Sequence, residues 1–392
     1  MFLYGPFERD ARVEREARSL VADGYDVEVI ALAREGLPEH ETRDGYAIHR
    51  VPAEGPVARV LRRISDAPLG PIARLAFRGA ALFRMRTWAR RAGEAGGEQP
   101  AALLIGHDLD ALPAAVRAKR SLGAPLIYDA HELFPDMTAV DRPQYELRGW
   151  IRHEGKLIRH ADGVLAVTPS RAQVMAERFG IPVPRVIRNV PEATAKQPVF
   201  DLSEGLPPGN HIVFYSGNMQ RARGLEQAIA ALARLENCVL VVMGSGDDSY
   251  VQGLRALATE TGVRDRVVFR DPVRPHEVVA VTAGADVGVV LNRNVSLNNY
   301  LSLPNKVFEY VVAGVPVVTS DSPDMTELVR RYEVGETCDP EDPDDIARAI
   351  QSVLDDSERL RANARKAAPE LTWERESNEF LRAVHDLTGR DA

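Results

Sequence analysis

The stretch Leu303-Pro304-Asn305-Lys306-Val307-Phe308-Glu309-Tyr310-Val311-Val312-Ala313-Gly314-Val315-Pro316-Val317-Val318-Thr319 reads as a loop, a helix and a strand in quick succession. Pro304 suits the first turn of a helix, where its missing N–H would be unpaired anyway. Gly314 and Pro316 stop that helix, and Val315, Val317 and Val318 continue as a buried strand. Free backbone N–H groups at the helix start, with Lys306 beside them, make an anion site. Glu309 lies one turn further in, where a carboxylate can accept hydrogen bonds from a diol such as a ribose. By itself the segment reads equally well as an ordinary helix-then-strand unit with a solvated Glu309 and Lys306.

Working outward, the same alternation fills the chain. After Met1-Phe2-Leu3-Tyr4 and the break at Gly5-Pro6, Arg12 to Val21 follows a helical period, with Val13, Ala17, Leu20 and Val21 on one face. Tyr25 to Ile30 and Tyr46 to Val51 then read as strands. The apolar runs at 101–105, 125–128 and 163–167 lie between helical stretches, as parallel strands buried on both faces do. Residues 191–210, rich in Pro, Glu and Gly and without a period, read as a linker. A second β/α series follows, with strands expected at 212–215, 239–243, 267–269, 287–290 and 315–319. Two such series predict two facing doubly wound domains with a cleft between them: 1–190, then 211–370, with a last segment over 371–392.

Composition narrows the class of function. The 392 residues suffice for two domains, and 45% hydrophobic with 27% charged residues is the balance of a soluble globular protein. A net charge of -8 argues against a general nucleic-acid binder. Cys238 and Cys338 fit no zinc spacing, and Cys238 reads as a small buried hydrophobe, so cysteine usage points to a reducing compartment. No apolar run approaches the length of a membrane span, and a cytoplasmic protein is expected.

In parallel sheets ligands bind beyond the carboxyl ends of the strands. That directs attention to His107-Asp108-Leu109-Asp110, Asp129-Ala130-His131-Glu132 and the loop from Ser216 to Gly224. His107 and Asp108 would give a polar lining for an acceptor, while a lone His131 would more often be structural. In the loop, Gly217 permits close backbone approach, and Arg223 precedes Gly224 at a helix mouth. An arginine fork there can take two phosphate oxygens at once. The pairs Asp108/Asp110 and Asp247/Asp248 have the look of metal motifs. Two carboxylates alone leave most positions on a divalent ion to water and substrate, so no metal is expected.

The run LPNKVFEYVVAGVPVVTSD resembles the donor-site signature of retaining glycosyltransferases of the GT-B fold, glycosyltransferase family 4. The resemblance implies an α/β fold of two Rossmann-like domains with an interdomain cleft, the first for the acceptor and the second for a nucleoside-diphosphate sugar. Further matches extend along the chain. ERDARVEREARSLVADGYDVEVIAL is similar to the family's opening β-α-β unit. The loop from Gly217 to Gly224 is similar to its G-R…K-G loop, with Arg223 at the second basic place, Asn218 at the first, and Arg221 able to compensate. YDAHEL aligns with the family loop whose His touches the donor sugar, and Glu132 comes along with it. Gly5 stands where relatives often carry a pair of glycines on the acceptor side. Gly244-Ser245-Gly246 matches a strand-to-helix turn, and the segment around Trp373 resembles the one that crosses back to the first domain. One place departs: Leu301 stands where many relatives carry a second Glu.

The donor set implied is Gly217, Asn218, Arg221, Arg223, Gly244, Leu303, Pro304, Asn305, Lys306 and Glu309. Arg223, Lys306 and helix amides would stabilise charge on the leaving diphosphate, Glu309 would hold the ribose, and His131 would orient the sugar. The resemblance points to a UDP-sugar before a GDP-sugar, to a small-molecule or glycan acceptor, and to no cofactor. A sugar-nucleotide epimerase of the same fold and a non-catalytic partner subunit are the competing readings.

Residues 59–91 stand apart, with nine arginines against a single acid, Asp66, and Leu75, Phe77, Leu82, Phe83 and Trp88 interleaved. Pro68, Gly70 and Pro71 interrupt the segment, and its arginines scatter around a helical wheel. Surface helices with buried apolar residues are expected, with at most weak peripheral contact with a membrane. The other reading is an interfacial helix or an anionic-acceptor site.

Overall fold

A computed structural model describes residues 1–8, 10–53, 71–137, 143–193 and 201–390, with the backbone alone for 71–78. The expected basic residues Arg59, Arg62 and Arg63 and the linker residues 194–200 lie outside the described residues. So do the side chains of Arg74, Leu75, Phe77 and Arg78. The chain divides into two compact units, one of Met1–Val167, Arg171–Ile187 and Ser377–Ala392, the other of Thr168–Ser170 and Arg188–Glu376.

The first unit is built on eight strands: β1 (Phe2–Leu3), β2 (Glu28–Leu32), β3 (His40–Arg43), β4 (Tyr46–Val51), β5 (Leu104–His107), β6 (Leu126–Ala130), β7 (Gly163–Ala166) and β8 (Arg185–Val186). Their order is β3-β4-β2-β1-β5-β6-β7-β8. Every pairing is parallel except β3 on β4. Strands β5 and β6 are buried at every residue, as a sheet covered on both faces requires. Strand order reverses between β1 and β5, and these two strands lead into Tyr4-Gly5 and Asp108. The register pairs His107 with Asp129, so the two side chains leave the same face of the sheet. Residues near the C-terminus tie onto this unit through His385 with Asp23 at 2.7 Å and Arg185 with Asp386 at 2.7 Å.

The second unit carries six parallel strands: β9 (His211–Ser216), β10 (Cys238–Met243), β11 (Val267–Arg270), β12 (Val287–Val290), β13 (Val317–Ser320) and β14 (Gly335–Cys338). Their order is β11-β10-β9-β12-β13-β14. The reversal falls between β9 and β12, whose carboxyl ends lead to Gly217 and Leu291. The helices Leu225–Leu232, Asp248–Glu260 and Pro343–Asp355 bury Leu225, Ile229, Leu254, Ile346 and Ile350 against β9, β10 and β12. Cys238 is fully buried there, in the small-hydrophobe role its sequence context indicates.

Some local readings need correction. Pro304 is the residue before the helix Asn305–Val312, not in its first turn, and β13 begins at Val317 because Gly314 (φ 73°) and Pro316 delay it. Pro71 does not interrupt a helix but starts one, Pro71–Ala95. On that helix Trp88 is buried, but Leu82 and Phe83 are 37% and 54% exposed and do not join the core. Three short strands, β3, β8 and β14, carry too few apolar residues to be seen by period.

Two contacts lock the opening stretch onto its sheet. Tyr310 is fully buried, its hydroxyl accepting from the Ser216 N–H at 2.9 Å. Its ring lies over Gly288, where a Cβ atom would come within 2.1 Å of it. Gly288→Ala is therefore expected to lower stability by about 1–3 kcal/mol through overpacking. Urea unfolding followed by circular dichroism checks this, and an unchanged midpoint would contradict it.

Candidate active site

At the switch point of the second unit the backbone itself makes the room. Gly217 (φ 121°) and Gly244 (φ 155°) adopt conformations that favour glycine. A Cβ on Gly244 would lie 1.9 Å from the Gly217 carbonyl oxygen, so the loops after β9 and β10 approach as closely as glycine allows. Met219 N–H donates to the Ser245 carbonyl at 2.7 Å and closes the pair of loops.

Two cations face this corner. The Lys306 ammonium sits 3.6 Å from the centroid of the Tyr215 ring, and its Nζ would lie 3.2 Å from a Cβ placed on Gly217. Cation–π attraction offsets part of its desolvation. Burial lowers the Lys306 pKa well below the usual lysine value and nearby Arg223 lowers it further, against a smaller upward pull from Glu309. Arg223 is held by amides: Nη1 donates to Asn292 Oδ1 at 3.3 Å, and with the Gln220 amide turned over its oxygen accepts from Nη2 at 3.0 Å and Nε at 3.1 Å. Asn292 is fixed in turn by Ser302 Oγ at 2.8 Å. Among the described residues neither cation has a carboxylate within ion-pair distance. Two positive charges held by neutral groups leave their charge for an anion to complete.

The expected donor residues do not all meet here. Gly217, Gly244, Arg223, Lys306 and, by its electrostatic coupling, Glu309 do. Arg221 and Asn218 line a cavity of about 670 Å³ with Gln220, Glu226, Asp247 and Tyr250, and Gln220 is also a residue that holds Arg223. The carbonyl of Asn218 has a different task, accepting from the Tyr215 hydroxyl at 2.8 Å and fixing the loop. Asp247 is a helix cap, its carboxylate accepting from the Ser249 and Tyr250 N–H groups. Tyr215, Gln220, Asn292 and Ser302 were missed by sequence reasoning. Only the position of Tyr215 next to the loop could have drawn attention to it.

The first unit holds a denser cluster. Arg12 grips both Asp129 oxygens, at 3.0 and 2.7 Å, and donates to the Ile187 carbonyl at 2.8 Å. Asp129 Oδ2 also meets His131 Nε2 at 2.7 Å and His107 Nδ1 at 3.1 Å. Asp108, in a left-handed conformation (φ 60°), accepts from the His131 N–H at 3.0 Å, and its other oxygen lies 3.4 Å from His131 Nδ1. Glu16, one turn after Arg12, is 2.9 Å from it.

The charges sort themselves. Burial by itself would lower the His131 pKa, but Asp108 and Asp129 raise it to about 10, so the ring is an imidazolium at neutral pH. Burial pushes Asp129 up, yet Arg12 and His131 outweigh it and hold the carboxylate well below its usual range. Glu16 is pushed up to about 8 by burial and by Asp129, and is protonated near neutrality. Burial lowers the His107 pKa, leaving that ring neutral. Two cations thus balance Asp129 and Asp108, the arrangement that lets charges persist in a core.

His107, Asp129 and His131 could offer a metal three ligand atoms within 4.8 Å of one another, as could the more exposed set Glu39, His40 and His49. In the first set Arg12 already takes both Asp129 oxygens and His131 is itself charged, so an added ion would face two cations. Glu132 pairs with Arg171 at 2.8 Å, a structural contact. Gly5 accepts from the Leu32 N–H through its carbonyl, and its nearest neighbour to an added Cβ is 3.7 Å away, so nothing there demands a glycine.

Comparison with known proteins places this geometry. Over 287 residues the chain is 26% identical to a D-inositol 3-phosphate glycosyltransferase of Xylanimonas cellulosilytica, covering 68% of this chain and 67% of that protein. It is 26% identical over 376 residues to the 2-deoxystreptamine glucosyltransferase of Streptomyces kanamyceticus, covering 90% and 91%. Its fold matches sucrose-phosphate synthase of Thermosynechococcus elongatus with a TM-score of 0.78 at 20% identity, covering 96% and 93%. It also matches Anabaena HepE in complex with UDP-glucose, with a TM-score of 0.73 at 16% identity over 98% of each chain. Residues 11–190 match the family model Glycosyltransferase Family 4 and residues 198–371 match Glycosyl transferases group 1, and the chain belongs to this family of GT-B glycosyltransferases.

Proposed function

We propose that the protein transfers a sugar from a UDP-sugar to an acceptor hydroxyl with retention at the anomeric carbon and without a metal. The observation that carries the reading is the pair Arg223 and Lys306, two cations without a carboxylate partner among the described residues, beside the Gly217–Gly244 corner. A diphosphate supplies the missing negative charge. UDP is preferred because Anabaena HepE has been solved with UDP and with UDP-glucose.

In this mechanism the bond from the anomeric carbon to the diphosphate oxygen breaks as Arg223 and Lys306 take up the charge on the leaving group. The acceptor oxygen bonds to the same carbon from the same face, and its proton passes to the departing phosphate. No protein base is needed. Glu309 holds the ribose hydroxyls. His131, an imidazolium whose two N–H groups face Asp129 and Asp108, presents positive charge to the transferred sugar and does not act as a base. Arg12 and Asp129 keep it charged and oriented. The acceptor is a small molecule or glycan, handled by the first unit.

Arg223→Ala and Glu309→Ala are each expected to weaken UDP binding by about 1.5–3 kcal/mol with the fold intact, measured by titration calorimetry. Equal affinity for parent and variants would remove the donor-site assignment. His131→Ala is expected to keep UDP affinity and lose most turnover on the acceptor, and a rate within about twofold of the parent would rule out its role. Activity is expected to persist in EDTA. A strict, reversible need for magnesium or manganese would show that the two cations do not suffice.

A further inference from the structure

Away from both clusters, two helices of the first unit turn exposed stripes to solvent that the transfer reaction does not use. On Pro71–Ala95 the stripe runs through Leu82, Phe83, Arg86 and Arg90, opposite the buried Met85, Trp88, Ala89 and Ala92. Helical spacing puts the four exposed residues within one arc of about 100°. On Gln144–Leu157 the corresponding stripe is Tyr145, Arg148, Arg152 and Lys156, all exposed, opposite the buried Glu154. Both helices pack against the helix Asp108–Leu122, and Arg86 of the first and Lys156 of the second both act, after burial, to lower the pKa of His153.

The stripes combine cations with large apolar groups in water. Phe83 is 54% exposed and Tyr145 72%. Among the described residues Arg86, Arg148, Arg152 and Lys156 form no ion pair. Of the three acids on these helices, Glu94 is taken by Arg90 and Arg117 and Glu154 by the Tyr128 hydroxyl, and Glu146 is engaged as well. A chain of net charge -8 thus gathers unpaired positive charge around exposed aromatic rings on one part of one unit.

We propose that this face binds an anionic lipid surface peripherally, the cations meeting headgroup charge while Phe83, Leu82 and Tyr145 enter the interface. The pairing of cations with exposed rings favours lipid over an acidic protein, which would satisfy the charges but leave Phe83 in water. No helix among the described residues is long and apolar enough to cross a membrane, so the contact is a docking one. The assignment does not depend on the nucleotide site.

Flotation of the full chain with phosphatidylcholine vesicles, with and without phosphatidylglycerol, tests the proposal. Binding is expected to the anionic vesicles only and to weaken as salt is raised. Combining Arg148→Glu, Arg152→Glu and Lys156→Glu is expected to lower partitioning by about a hundredfold or more. Phe83→Ser alone is expected to lower it several-fold, and circular dichroism with thermal unfolding of both variants checks that the fold is unchanged. Absence of binding to anionic vesicles at low salt overturns the proposal. So does binding that the triple reversal leaves unaltered, or capture by polyglutamate with no vesicle association.

Discussion

A lysine ammonium buried against a tyrosine ring, with no carboxylate at ion-pair distance among the described residues, is the constraint around which the second unit is arranged. Such a group is costly, and it is tolerated because the Tyr215 ring lies under it and Glu309 is near. The surroundings follow from keeping it there. Gly217 must be a glycine because of its backbone conformation (φ 121°), and Gly244 because its own corner is filled by the Gly217 carbonyl. Tyr310, four residues beyond Lys306 on the same helix, anchors that helix to the end of β9 through Ser216. The sheet, the helix and the loop each position one part of a single anion site.

The first unit solves the opposite problem. There the charges are fully compensated inside the fold, through Arg12 on Asp129, Asp129 on His131, and His131 beside Asp108. The result is a histidine fixed as a cation. The register that sets His107 opposite Asp129, and the helix that carries Arg12 and Glu16 after β1, are what assemble it. A residue so placed offers a fixed positive charge, and its neighbours hold it in that one state.

Much of this was legible in the sequence because parallel sheets advertise themselves. Apolar runs such as Leu126–Tyr128 and Val239–Met243 gave the strands, and the residues after them gave Gly217, Asp108 and His131. What escaped were groups whose function depends on contact between distant segments. Arg12 lies 117 residues from Asp129, and Asn292 lies 69 residues from Arg223. Residue type alone could not place Arg221, whose side chain lines a cavity with Gln220, Glu226 and Tyr250. At Phe83 helical period without a partner surface could not say which apolar residues would stay in water.

The central claim, that Lys306 awaits an anion, has a direct thermodynamic signature. Its pKa is depressed by burial and by Arg223, and a bound diphosphate would raise it, so UDP binding at mildly alkaline pH must draw in a proton. Titrating UDP into the protein in two buffers of different ionisation enthalpy, at about pH 8 to 9.5, measures that uptake against a lysine whose ordinary pKa is about 10.4. The expected result is net proton uptake, with affinity falling as pH rises, and both effects lost in Lys306→Arg, whose side chain stays charged. Binding of UDP with no proton uptake across this range, or uptake that persists unchanged in Lys306→Arg, would contradict the account.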